Sequence, residues 1–217
     1  MNKDMLNRLI QYKNVAMRMK ELGFVRVFSV NLADALNINP VKVRKDFSQF
    51  HIKGKNKGGY DVDYLITKID EILGKEGVEK VVVVGVGNIG SALINYPGFE
   101  NVGIKIVAGF DIDPAKIKQD REPPILHLDK MKDFVQQENV KIGILAVPEV
   151  AAQRVAELMV SYGIRGILNF SPAKLKIKNC IVTDVHIEAE LENLVYFVKN
   201  QEKISTTKEK QKDDNTY

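Results

Sequence analysis

Cysteine is almost absent from this 217-residue chain, with Cys180 the single one. That excludes an internal disulfide and a cysteine-ligated metal cluster, and it favours an apolar packing role over a reactive thiol. Histidine is scarce as well: His51, His127 and His186 never stand at metal-ligand spacing, so no metal is expected. No apolar run approaches the roughly 20 residues of a membrane span. Met1-Asn2-Lys3-Asp4 leads into helical pattern without an apolar leader, so no membrane contact and a cytoplasmic location are expected. Internal repeats are missing too.

Charge is modest in sum, +4, but uneven. Residues 1–75 carry 14 Lys and Arg against 8 Asp and Glu, net +6, and the remainder carries 18 against 20, net −2. A basic module joined to a slightly acidic one suggests that the first meets a polyanion and the second does not.

The basic module reads as helical. Leu6, Leu9, Tyr12, Ala16 and Met19 recur at helical spacing over residues 2–22, and Gly23 stops that helix. A strand-like stretch, Phe24 to Phe28, follows, and Ser29 is placed to cap a second helix through Leu36. Pro40 suits the first turn of a third helix, Val41 to Phe50, because its missing N–H would be unpaired there anyway. Two short helices around a tight turn form a helix-turn-helix. Val43, Phe47 and Phe50 share the inward face, which leaves Lys42, Arg44, Lys45, Ser48 and Gln49 outward. The next stretch interleaves Lys53, Lys55 and Lys57 with glycine and asparagine, as the tip of a β-hairpin wing would. From Asn39 to Tyr60 there are six Lys and Arg and one acid. A solvated charge run is the bland alternative; charge on a recognition-type helix and its wing favours contact with double-stranded DNA. A further helix over 62–73 ends at Gly74, and Lys75-Glu76-Gly77 is the expected domain boundary.

The second module is organised around Val81-Val82-Val83-Val84-Gly85-Val86-Gly87-Asn88-Ile89-Gly90. A four-valine run bounded by turn residues reads as a strand buried on both faces. Gly85 allows a tight turn, Gly87 lets the backbone approach a pyrophosphate, and Gly90 lets the next helix pack on the strand. The helix N-terminus supplies free N–H groups for phosphate. A second apolar strand from Ile104 ends in Asp111, about 20 residues beyond the last glycine, where a carboxylate would accept a ribose hydroxyl. No arginine follows, and Asp113 would repel a 2′-phosphate, so NAD(H) is favoured over NADP(H). A structural turn or a nucleotide-free relic is the competing reading. Strands at 124–127, 142–147 and 167–170 alternate with helices over 129–138 and from Pro148 to Gly163. Val147, Pro148, Asn169 and Phe170 should therefore lie in the same crevice as Gly87. A last helix over 186–199 carries Ile187, Leu191, Leu194, Val195 and Val198 as an apolar stripe, for which a second subunit is one candidate partner. The polar residues 201–217 are expected to be disordered.

A dehydrogenase needs a substrate domain and an acid–base residue, and neither follows the dinucleotide fold. A sensed rather than reacting cofactor is implied. Alternatives remain: a small NAD-dependent oxidoreductase with a basic appendage, or a domain for another adenine ligand such as coenzyme A.

Several motifs, in order, resemble the Rex family of redox-sensing bacterial repressors: Val43 to Ser48, Gly59-Tyr60-Asp61-Val62, Gly85 to Gly90, Asn95 to Phe99, Phe110 to Pro114, Val147-Pro148 and Gly166 to Pro172. The resemblance implies an α/β chain with an N-terminal winged-helix DNA-binding domain (1–75), a Rossmann-type NAD(H)-binding domain (78–185) and a C-terminal dimerisation helix (186–200) exchanged within a homodimer. It implies operator binding when NADH is low and release when NADH binds. It also brings Tyr96 to the cofactor region. Four positions depart from the family pattern. Asn14 stands where an arginine is usual, His186 and Ile187 stand for an aspartate and an aromatic residue, and His51 stands for the glycine that enters the wing. A repressor with an altered ligand response is therefore a further alternative.

Overall fold

Helix α1 (Lys3–Glu21) begins where Asn2 accepts the Met5 N–H at 2.9 Å, and Gly23, at φ +84°, turns the chain away after it. Strand β1 (Arg26–Val27) is shorter than the five-residue stretch expected. Helix α2 (Ser29–Leu36) already includes Ser29, so that residue is not its cap; the Asn31 side chain instead accepts the Phe28 N–H at 3.0 Å. Helix α3 (Pro40–Gln49) has Pro40 in its first turn, and Asn39 accepts the Val41 N–H at 2.8 Å. Strand β2 (Tyr60–Asp61) pairs antiparallel with β1, Val27 opposite Tyr60. The Asp61 carboxylate then caps helix α4 (Val62–Ile72) through the Tyr64 N–H. The protein is seen here as a computed structural model that describes residues 1–55, 58–75 and 77–213, with side chains through Gln201.

The core of this first unit, Met1–Glu79, is built from Leu9, Tyr12, Leu32, Val43, Phe47, Leu65 and Ile69, all fully buried. Phe47 lies edge-on to Tyr12 at 5.2 Å and to Tyr60 at 4.8 Å, tying α3 to both α1 and the small sheet. Truncating such a buried ring costs about 3–5 kcal/mol.

The second unit, Lys80–Tyr217, alternates strand and helix. Its elements are β3 (Glu79–Val84), α5 (Asn88–Ile94), β4 (Ile104–Asp111), β5 (Ile125–His127), α6 (Met131–Gln137), β6 (Ile142–Leu145), α7 (Glu149–Tyr162), β7 (Gly166–Asn169), β8 (Ile181–Asp184) and α8 (Ile187–Asp213). The sheet order is β5-β4-β3-β6-β7-β8, with parallel pairing between β4 and β5, β3 and β6, β6 and β7, and β7 and β8. This is the doubly wound order in which the chain reverses direction across the sheet between β3 and β6 and opens a crevice beyond their carboxyl ends. The valines of β3 divide by twos: Val82 and Val84 pack with Phe110, Ala152 and Met159 on one face, Val81 and Val83 with Ile94 and Ile106 on the other.

The structure adds one strand and lengthens the last helix. Strand β8 was not legible; it is a four-residue edge strand, and Ile181 within it is largely exposed. Residues 201–213 continue α8 instead of forming a disordered tail, and residues 214–217 lie outside the described residues. Neither Gly nor Pro occurs after Pro172, and Lys, Glu and Gln are good helix formers, so nothing local ends the helix at residue 200.

Candidate functional site

At the end of β3 the backbone must reverse within one residue. Gly85 does this at φ +94°, its N–H donating to the Phe110 carbonyl at 2.8 Å. A Cβ there would collide with the Ala146 backbone, and one at Gly90 would overlap the Gly85 carbonyl oxygen. Gly90 is thus a packing residue beneath the turn. Gly87 differs: its backbone is extended, and an added Cβ would meet nothing within 4 Å. The space beside it is empty of protein, as a cradle for a ligand should be.

That space is a cleft of about 750 Å³, lined by Gly85, Gly87, Asn88, Ile89, Asp111, Asp113, Val147, Pro148 and Phe170 among others. Volumes of roughly 300–1,000 Å³ are typical of small-molecule sites. Nine of the twelve cofactor residues expected from sequence therefore meet in one crevice. Gly90 and Asn169 do not line it, nor does Tyr96. Asn169 is fully buried and its amide is consumed internally: it donates to Asp184 Oδ1 and to the Ala173 carbonyl, both at 2.9 Å, and accepts the Ser171 N–H at 3.0 Å. It holds the loop after β7 in place. Tyr96 is exposed, edge-on to Phe99 at 5.1 Å.

Asp111 does more than face the cleft. Its Oδ2 accepts the Val86 N–H at 2.7 Å and Lys116 Nζ at 3.1 Å, and its Oδ1 accepts the Asp113 N–H at 2.9 Å. Burial alone would raise this carboxyl, but the two backbone N–H groups and Lys116 outweigh it and hold the group below the ordinary carboxylate value. An ionised carboxylate offers about four acceptor positions. Three are taken, so Asp111 braces the glycine turn and one acceptor position remains. Lys116 and Glu188, both lining the cleft, were missed from sequence; Lys116 stands five residues past Asp111 with no motif to mark it.

In the first unit the outward face of α3 presents Lys42, Arg44, Lys45 and Ser48, all exposed. Arg44 Nη1 donates to Ser29 Oγ at 3.2 Å, which aims the guanidinium along the start of α2. The wing carries Lys53 and Lys55, with Lys55 bridged antiparallel to Gly59; Lys57 lies outside the described residues. Arg26, unnoticed in the sequence, reaches the wing and donates to the Gly58 carbonyl at 3.3 Å. His51 sits between α3 and the wing at φ +55°, a conformation that glycine adopts more easily. The single acid of this surface, Asp46, turns inward and is 1% exposed.

Asn14 is half-buried on α1. His186 opens α8, its Nδ1 3.8 Å from Glu188 Oε1. Ile187, Leu191, Leu194 and Val198 are 46–59% exposed, and Val195, Tyr196 and Phe197 widen the uncovered apolar surface. Among the described residues no group of His, Cys, Asp and Glu could hold a metal ion, and no helix is long and apolar enough to cross a membrane.

A basic winged-helix unit and a doubly wound unit with a dinucleotide-type crevice, carried on one chain, define a ligand-responsive DNA-binding regulator. The family model described as "Putative DNA-binding protein N-terminus" matches residues 3–48, and that described as "CoA binding domain" matches residues 78–173. The redox-sensing transcriptional repressor Rex of Oenococcus oeni is 38% identical over 208 residues, covering 93% of this chain and 94% of its own. That of Streptococcus thermophilus is 40% identical over 200 residues, covering 90% and 91%. Among solved structures, RSP, a Rex-family repressor in complex with β-NAD⁺ and operator DNA, superposes with a TM-score of 0.84 at 26% identity, covering 100% of this chain and 99% of that one. RSP in complex with β-NADH gives 0.78 at 27% identity, covering 95% and 98%. The chain belongs to the Rex family of redox-sensing transcriptional repressors.

Proposed function

We propose that the protein is a transcriptional repressor that senses the NADH/NAD⁺ ratio, binding palindromic operators as a cytoplasmic homodimer when NADH is low and releasing them when NADH binds. The observation that carries this reading is the open space over Gly87, beside a turn braced by Asp111, on the same chain as a basic recognition helix. When bound, NAD(H) supplies a pyrophosphate anion, two riboses and a nicotinamide that is charged only in its oxidised form. The N–H groups at the start of α5 would hold the pyrophosphate, and the remaining acceptor position of Asp111 would take the adenosine ribose. Lys116 is engaged by Asp111, and Asp113 adds a second acid, which favours a ribose without a 2′-phosphate. No acid–base residue is needed for sensing, and the protein is not an enzyme.

On the DNA side, Arg44 and Lys45 read base edges, while Lys42, Ser48, Lys53, Lys55 and Lys57 hold phosphates or the minor groove. The apolar stripe of α8 pairs two copies of the chain. Release by NADH requires that the reduced cofactor favour a dimer arrangement whose two recognition helices no longer match successive major grooves. The family resemblance supports a role for Asn14, His186 and Ile187 in that coupling. Asparagine and histidine at these positions lack the fixed opposite charges of an arginine and an aspartate, and a hydrogen bond that is not charge-assisted is weaker by roughly 1 kcal/mol. Coupling energies are themselves about 1–3 kcal/mol, so release here is weaker than the family norm.

The test combines fluorescence titration of NADH, NAD⁺ and coenzyme A with a DNA mobility shift. NADH binding together with sequence-selective DNA binding supports the reading. Turnover of NADH with a small substrate would mark an oxidoreductase, and preference for coenzyme A a different sensor.

A further inference from the structure

An acid on the helix that meets DNA should weaken binding to a polyanion, yet Asp46 stands between Lys45 and Phe47 on α3. Its environment accounts for it. Arg8 of α1 donates Nε to Asp46 Oδ2 at 2.7 Å and Nη2 to Oδ1 at 3.3 Å, and the Tyr12 hydroxyl donates to Oδ2 at 2.9 Å. Lys42 Nζ lies 4.0 Å away. Burial alone would raise the Asp46 carboxyl, but the bonds from Arg8 and Tyr12 outweigh it and keep the group ionised. Burial, then the bond to Asp46, pushes the Tyr12 phenol up, so that it stays a donor.

We infer that Asp46, clamped by Arg8 and Tyr12, is a positioning residue that fixes the rotation of the recognition helix and so sets how strongly the chain prefers its operator to other DNA. This rests on the DNA-binding function proposed above. Val43 and Phe47 anchor α3 by a single apolar stripe that sets its depth, and the edge-on contacts of Phe47 with Tyr12 and Tyr60 hold that stripe alone. Asp46 lies about 100° around the helix from Phe47, at the flank of that stripe. A two-pronged guanidinium–carboxylate pair with a third donor holds this flank to α1 in one orientation. With side chains reaching about 5–6 Å from the axis, a rotation of about 10° moves a tip by about 1 Å. That is enough to break a bidentate base contact, whereas a lysine on a flexible stem still finds its phosphate.

The test uses the full-length protein, a palindromic duplex selected from a random pool by the wild type, and a scrambled duplex of equal length. Dissociation constants are measured for wild type, Asp46→Asn, Arg8→Gln and Arg8→Lys. The selected-to-scrambled affinity ratio is expected to fall about tenfold for Asp46→Asn and Arg8→Gln, and less for Arg8→Lys, the loss of roughly one base contact's discrimination. Scrambled-duplex affinity is expected to stay within about twofold or to tighten, since that binding is set by phosphate contacts. Two results overturn the inference: unaltered affinity for both duplexes, or equal loss on both with the ratio unchanged, which would mark Arg8 as a phosphate contact or Asp46 as a fold-stability residue only. Should Asp46→Asn fail to fold, the two Arg8 variants carry the test with the same readings. A wild type that selects no sequence overturns the proposed function as well, and a selective wild type with unaltered variants overturns only the clamp.

Discussion

The sharpest test of the cleft is a pair of glycine substitutions three residues apart. At Gly87 the backbone is extended, φ −79° and ψ −160°, and the added methyl of Gly87→Ala meets no protein atom within 4 Å. Folding should therefore be unharmed, and the lost freedom of the unfolded chain should stabilise by about 0.4–1 kcal/mol. For a chain of this size that is a rise of roughly 1–4 °C in Tm. The methyl fills the space through which a pyrophosphate oxygen would reach the backbone N–H groups, so one charge-assisted hydrogen bond, about 1.5–3 kcal/mol, is lost. NADH affinity should fall between about 10-fold and 150-fold. Gly90→Ala drives a methyl into the Gly85 carbonyl and should lower Tm by several degrees before any ligand is considered. The assay is differential scanning fluorimetry of both variants, with and without NADH, beside a fluorescence titration. A Gly87→Ala protein that binds NADH as the wild type does, or that loses stability as Gly90→Ala does, would refute the assignment of this cleft.

Asp111→Ala should weaken NADH binding by about 1.5–3 kcal/mol and also lower Tm, because it frees the Val86 N–H as well as a ligand hydroxyl; calorimetric titration and melting that show neither change would remove both roles. Lys55→Ala should weaken binding to all duplexes and lower the salt slope by about one, while Arg44→Ala should also relax sequence preference; equal loss on specific and random DNA for Arg44→Ala denies it a base contact. Asn14→Arg together with His186→Asp should strengthen NADH-driven release more than either change alone, read as operator dissociation constants with and without saturating NADH; full release by the native protein would contradict this. Asp46 is held below its unfolded value near 3.9, so the folded state binds fewer protons and its contribution is present above that value and lost as pH falls through the folded one. Unfolding free energy should drop below about pH 4 in the wild type and do so less in Asp46→Asn, by denaturant titration across pH 2–6.

What the sequence reveals and what it hides divides along a physical line. The β3 valines, the glycine turn and the α3 stripe of Val43 and Phe47 are legible because local conformation and periodicity dictate them. The internal bonding of Asn169 was hidden because position at a strand end does not say whether an amide faces the crevice or its own loop; the bond to Asp184 on β8, fifteen residues away, is what the sequence does not show. Arg8 and Asp46 were overlooked because their pairing spans 38 residues, and no spacing rule reaches that far. Lys116 escaped notice for a related reason. It acts through Asp111, and a group that serves another group leaves no motif. The length of α8 was missed because low hydrophobicity was taken as disorder, although composition alone does not stop a helix.

The uncovered apolar stripe of α8 has a consequence for the cell as well as for the molecule. If two chains must bury Leu191, Leu194 and Val198 together, subunits of different quality mix freely, because nothing on that stripe reports whether the recognition helix of the same chain still works. A chain crippled at Arg44 but intact in α8 would draw sound chains into dimers with one working half-site. At equal expression only a quarter of dimers would be fully competent, as random pairing dictates. Repression would then fail in proportion to subunit mixing rather than to loss of protein, so an allele broken on the DNA face would act dominantly, and one lacking α8 would be recessive.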